Sequence, residues 1–164
     1  MTGPVELGKA PSAPSPVASV YVHAPFCPRR CVYCDFAVTV SHAPDPEPWL
    51  EAIGAEWEGI LGQEAFPLAP ELETLFVGGG TPSHLGPGAM EALARILGRD
   101  RLAHGELEWT AEANPESFTP EVAAAWARAG VNRVSLGAQS FDSGVLRWMG
   151  RLHVFTDYCS APSG

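Results

Sequence analysis

From Ala18 to Met149 the sequence alternates between short β-branched or aromatic runs and stretches with apolar residues at helical spacing. No other feature limits the possible folds as strongly. Ala18-Ser-Val-Tyr-Val-His23 reads as a strand. Leu50, Ile53, Trp57, Ile60 and Leu61 fall on one helical face, with Pro48 near the first turn. Thr74-Leu-Phe-Val77 is a buried-type strand running into Gly78-Gly79-Gly80, and Met90, Leu93 and Leu97 mark a second helix. Leu107 to Ala113 reads as the third strand. Thr119-Pro-Glu121 opens a third helix, with Val122, Trp126 and Ala129 inward and Gly130 at its end. Arg133-Val-Ser-Leu136 is the fourth strand; Asp142 caps a fourth helix carrying Val145, Trp148 and Met149. Four successive βα units predict an α/β protein with a parallel sheet and helices outside it. The polar and Gly-rich motifs fall just after strand ends, at the sheet edge where such folds place their chemistry. Residues 1–17, rich in Pro and Ser, read as a flexible leader.

Composition narrows the class. The 164 residues are 46% hydrophobic and 18% charged, so a packed core is expected and wholesale disorder is excluded. Ten basic against nineteen acidic residues give a net charge of −9, which argues against a general nucleic-acid binder. No apolar run approaches the ~20 residues of a membrane span. The start lacks the charged and apolar pattern of a signal peptide, so the expected location is cytoplasmic.

Three of the four cysteines, Cys27, Cys31 and Cys34, form a CxxxCxxC triplet directly after the first strand. In a cytosolic chain such clustering reads as metal or redox chemistry before disulfides. Three thiolates on one loop can hold three irons of a [4Fe–4S] cluster, which normally takes four cysteines. The lack of a fourth nearby leaves one iron open to a small ligand. Zinc, with His23 or His42 completing the set, is the competing reading. A disulfide with a spare thiol is a third.

The residues Tyr21-Val-His-Ala-Pro-Phe-Cys27-Pro-Arg-Arg-Cys31-Val-Tyr-Cys34-Asp-Phe36 resemble the cluster loop of radical S-adenosylmethionine (SAM) enzymes. More narrowly, they resemble the oxygen-independent coproporphyrinogen III oxidase group and its relative, the heme chaperone HemW. Four later motifs follow in family order: Phe76-Val-Gly-Gly-Gly-Thr-Pro-Ser83, Glu112-Ala-Asn-Pro115, Gly130 to Phe141, and Gly150-Arg-Leu-His153. The resemblance implies the N-terminal four βα units of a partial (β/α)6, TIM-like barrel, truncated, with a core over 18–153. Residues 154–164 depart from the family pattern, and Cys159 has no counterpart in it.

The same resemblance implies a [4Fe–4S] cluster on Cys27, Cys31 and Cys34, and SAM contacts from Tyr21, Gly79, Gly80, Thr81, Glu112, Gln139 and Arg151. It implies one-electron cleavage of SAM to methionine and a 5′-deoxyadenosyl radical, supplied by a reductant such as flavodoxin or ferredoxin. Glycine at 79 and 80 suits a backbone that approaches a ligand unobstructed; the plain alternative is a tight turn after a buried strand. No side chain is assigned a catalytic role. The oxidases carry a further Cys two residues after the third ligand, where this chain has Phe36. That favours the heme-chaperone branch, which binds heme and delivers it to acceptor hemoproteins. Oxidative decarboxylation of coproporphyrinogen III to protoporphyrinogen IX is the alternative.

Overall fold

The computed structural model describes residues 15–63, 67–103 and 105–151. The expected non-family tail, with Cys159, and the leader through residue 14 lie outside that range. Val17, at the end of the expected leader, is already tied in: its N–H donates to Pro67 O (2.8 Å) and its carbonyl accepts from Ala69 (2.9 Å).

Strands β1 (Ser19–Ala24), β4 (Thr74–Gly79), β5 (Glu108–Ala113) and β6 (Arg133–Leu136) form one sheet in the order β1-β4-β5-β6. Every pairing in it is parallel. Helices α1 (Glu47–Leu61), α2 (Ala89–Leu97), α3 (Pro120–Ala129) and α4 (Ser143–Trp148) connect or follow the strands. The expected βα alternation is thus present.

Two short strands, β2 (Phe26–Cys27) and β3 (Thr39–Val40), pair in parallel at the two ends of the cysteine loop. A two-residue strand has no periodicity, so the sequence carries no signal for this clamp.

The core lies between the sheet and helices α1 to α3. Leu75, Val77, Trp109 and Ala111 from the strands meet Trp57, Met90, Leu93, Leu97 and Trp126 from the helices, all buried. Truncating one of the fully buried leucines to alanine would cost about 2–5 kcal/mol. The α2 and α3 faces are those the spacing predicts, with Thr119 Oγ1 capping Val122 N at 3.3 Å. Gly130 ends α3 in the left-handed region at φ 112°.

Two expected faces differ. Leu61, the last residue of α1, is 47% exposed, while Trp49 is buried and donates Nε1–H to His23 O at 2.8 Å. Burial at a helix end depends on what lies beside it, which periodicity does not report. In α4 the buried residue is Leu146, whereas Val145 and Trp148 are exposed, and β6 is exposed along its length. β6 is the sheet's edge, so this last unit has no neighbouring strand among the described residues.

Candidate functional site at the carboxyl edge of the sheet

Each strand of the sheet ends at the same edge, and the segments that leave those ends enclose a cavity of about 350 Å³. The cysteine loop leaves β1 and is held there by backbone bonds. Gly80 N donates to Ala24 O (2.8 Å), Thr81 N to Phe26 O (2.8 Å) and Ser41 N to Cys27 O (2.9 Å). From the far side, Arg29 Nη1 donates to Gly150 O at 2.8 Å, tying the loop to the end of α4.

Cys27, Cys31 and Cys34 all line the cavity and all are free thiols. Cys27 Sγ lies 3.4 Å from Thr81 Oγ1. Arg151 Nη1 donates to Cys31 Sγ at 3.7 Å. Burial is the largest influence on the Cys27 thiol and pushes its pKa up; the Thr81 hydrogen bond opposes this, Cys34 and Cys31 add to it, and Arg151 opposes it.

Gly79, Gly80 and Thr81, from the end of β4, line the same cavity. The reason for glycine there is sharper than open access to a ligand. A Cβ on Gly79 would fall 2.3 Å from the His23 ring, and its φ of 103° is left-handed. A Cβ on Gly80 would fall 2.6 Å from Ala24 O. The missing side chains let β4 close against β1, and the cavity is what remains on the other side.

Glu112 comes from the end of β5. Its Oε2 accepts from Gly79 N at 2.9 Å, and among the described residues Oε1 takes no hydrogen bond. Gln139 lines the cavity after β6 and is the one non-glycine residue with positive φ (64°) among the described residues. A left-handed backbone there costs on the order of 1–3 kcal/mol, of the kind that persists at functional sites. Arg151 Nη2 donates to Asn114 Oδ1 (2.7 Å) and Gly137 O (2.8 Å), and its buried Nε has no partner among the described residues.

Tyr21 stands apart from this group. It does not line the cavity. Its ring stacks on Phe76 with centroids 6.0 Å apart, and its hydroxyl would meet a Gly79 Cβ at 3.0 Å. Partial burial, then the Glu112 carboxylate, raise its pKa.

His23, the candidate zinc ligand, is engaged at both nitrogens. Nε2 faces Ala37 O at 2.9 Å and must donate, since a carbonyl only accepts. In the neutral ring Nδ1 then accepts from the Tyr21 hydroxyl at 3.0 Å. His42 is exposed. Among the described residues no three His, Cys, Asp or Glu side chains are grouped to hold one metal ion. A cluster instead engages each cysteine on a separate iron, and three free thiols beside two hydrogen-bond donors fit such a group.

Asn114 was not singled out by sequence reasoning. It lines the cavity and bonds Thr81, Ser83 and Arg151 through its side chain or backbone. Its position directly after a strand end, before Pro115, was the available signal.

Fold and site together define a radical SAM protein, and the comparisons agree. The Radical SAM superfamily model matches residues 21–161, and the chain belongs to that family. Within it, the chain is 40% identical over 154 residues to the heme chaperone HemW of Mycobacterium tuberculosis, covering 92% of this chain and 38% of the relative. It is 39% identical over 140 residues to HemW of Escherichia coli, covering 84% and 36%. A mouse mitochondrial radical S-adenosyl methionine domain-containing protein 1 is 34% identical over 153 residues, covering 92% and 34%. Among solved structures, coproporphyrinogen III oxidase (HemN) of Escherichia coli, described as a radical SAM enzyme, superposes with a TM-score of 0.73 at 25% identity, over 87% of this chain and 32% of that one. The chain thus spans a little over a third of the length of the HemW proteins it matches. It is an N-terminal piece of the TIM-like barrel. No described helix is long and apolar enough to cross a membrane.

Proposed function

We propose that this chain forms the cluster- and SAM-binding part of a heme chaperone of the HemW kind. The observation that carries the reading is the convergence of Cys27, Cys31 and Cys34 with Gly80, Glu112 and Arg151 on one cavity. On this reading the three cysteines hold a [4Fe–4S] cluster and leave one iron for SAM. When bound, the cluster supplies the electron that splits the sulfonium, drawn from a flavodoxin- or ferredoxin-type reductant.

The chain's own residues bind and orient. Glu112 holds the end of β4 with Oε2 and offers Oε1 as an acceptor for ribose hydroxyls. Gly79 and Gly80 present backbone to the cavity, and Gln139 and Arg151 close it from β6 and α4. Heme as ligand and hemoproteins as acceptors follow the relatives' name; full-length proteins carry more than twice as much chain, and their heme chemistry is proposed for the whole protein.

Anaerobic reconstitution with iron and sulfide, followed by electron paramagnetic resonance of the reduced protein with and without SAM, tests the cofactors. A cubane signal perturbed by SAM is expected; zinc with no cubane signal overturns the reading. The likeness to HemN supports an oxidase as the second reading. Heme titration of a full-length version, set against vinyl-group formation on coproporphyrinogen, separates the two. Robust decarboxylation overturns the chaperone assignment.

A further inference from the structure

Five side chains from four separate segments form one hydrogen-bonded chain across the site. It runs from Cys27 Sγ to Thr81 Oγ1 (3.4 Å), from Thr81 Oγ1 to Asn114 Nδ2 (3.2 Å), from Asn114 Oδ1 to Arg151 Nη2 (2.7 Å), and from Arg151 Nη1 to Cys31 Sγ (3.7 Å). Its two ends are cysteine sulfurs on the same loop, and its middle is Asn114.

The direction of three of the four bonds follows from chemistry, and the fourth, between Thr81 and Cys27, is open to a Thr81 donor. A guanidinium has donors only, so the Asn114 atom facing Arg151 is the oxygen. The amide nitrogen is thereby turned to Thr81 and donates to Oγ1. With that oxygen accepting, the Thr81 hydroxyl proton is free for Cys27 Sγ. Arg151 donates to Cys31 Sγ at the other end. Cys31 Sγ is therefore an acceptor, and the Thr81 hydroxyl is placed to serve Cys27 Sγ in the same way. Gly137 makes the approach possible: a Cβ there would lie 2.8 Å from Asn114 Oδ1, and Gly137 O takes the second bond from Arg151 Nη2 at 2.8 Å. Cys34 has no side-chain donor of this kind among the described residues.

We propose that Asn114 is a positioning residue of the cluster site, fixing through Thr81 and Arg151 one hydrogen-bond donor on each of two cysteine sulfurs. This deepens the proposed function and rests on its assignment of the three cysteines as cluster ligands. Hydrogen bonds to cluster sulfurs help set the reduction potential. Two such donors stabilise the more negative, reduced state, so losing them shifts the potential downward.

The test has two arms. In the apoprotein, iodoacetamide labelling of each cysteine is followed by mass spectrometry. Asn114→Ala is expected to change the rates at Cys27 and Cys31 by about threefold or more, leaving Cys34 within about twofold. Thr81→Val should alter Cys27 alone, and Arg151→Gln should alter Cys31 most, with a smaller change at Cys27, whose thiol also feels the Arg151 charge. Asn114→Asp keeps the acceptor for Arg151 and should leave Cys31 as in wild type while altering Cys27. An equal change at all three cysteines, or none, overturns the proposal. Where Asn114→Ala fails to fold, the Thr81 and Arg151 variants decide it alone. In the reconstituted protein, Asn114→Ala with unchanged iron and sulfide content should show a more negative midpoint potential; an unchanged potential also overturns it. A wild type that assembles no cubane sinks the functional reading, and the labelling pattern still decides the network.

Discussion

Replacing Gly80 by alanine perturbs the scaffold of the site without touching a ligand-bearing side chain. The added Cβ would sit 2.6 Å from Ala24 O, 2.8 Å from Phe26 O and 2.8 Å from Pro25 C, all of them backbone atoms. No rotamer change relieves this, so β4 must retreat from the segment entering the cysteine loop. That retreat strains two bonds, Gly80 N to Ala24 O and Thr81 N to Phe26 O, both 2.8 Å. Overpacking costs about 1–3 kcal/mol, and each weakened hydrogen bond adds about 0.5–1.5 kcal/mol. A total near 3 kcal/mol corresponds to a fall in Tm of about 6–12 °C for a chain of this size. Gly59→Ala is the matched control, since nothing lies within 4 Å of its Cβ and it sits inside α1. Helix propensity makes that change stabilising by about 0.5–1 kcal/mol. Thermal unfolding by circular dichroism reads both. Equal Tm values for the two variants would refute the steric reasoning.

Other perturbations follow from particular contacts. Asn132 Oδ1 accepts from Trp109 N (2.9 Å) and its Nδ2 donates to Leu107 O (2.6 Å), so Asn132→Ala should cost about 2 kcal/mol in a denaturant titration. Thr119→Ala removes the α3 cap and should cost about 1 kcal/mol by the same measurement. Backbone bonds from Val145 and then Gly144 lower the Asp142 pKa. Its contribution is therefore present above the ordinary carboxylate value and is lost as pH falls through the lower folded value. Tm below about pH 4 should fall more steeply in wild type than in Asp142→Ala, and parallel curves would refute this.

The elements that repeat or end on a local signal were legible in the sequence. Met90, Leu93 and Leu97 are spaced for one helical face, and all three are buried. Thr119 and Gly130 bound α3 as cap chemistry requires. The cysteine spacing marked the loop, and its place after β1 marked the sheet edge. Less legible were Trp49, Leu61 and Leu146, whose burial depends on neighbours rather than on their own helix. Tyr21 reads as a site residue; the β1 register pairs it with Phe76, three positions before Gly79, so its ring stacks on Phe76 while its hydroxyl reaches the Gly79 position.

The sequence by itself determined which segments become the four strands of the main sheet and the four helices, and that three thiols share one loop. Those properties depend on residues a few positions apart, within reach of backbone periodicity and capping. Only the tertiary structure decided that Cys27 meets Thr81, that Asn114 turns its amide between Thr81 and Arg151, and that Arg151 reaches Cys31. These bonds span 54, 33, 37 and 120 residues. Such pairs are brought together by parallel strands ending at one edge, and no local pattern encodes where two chain segments so far apart will converge.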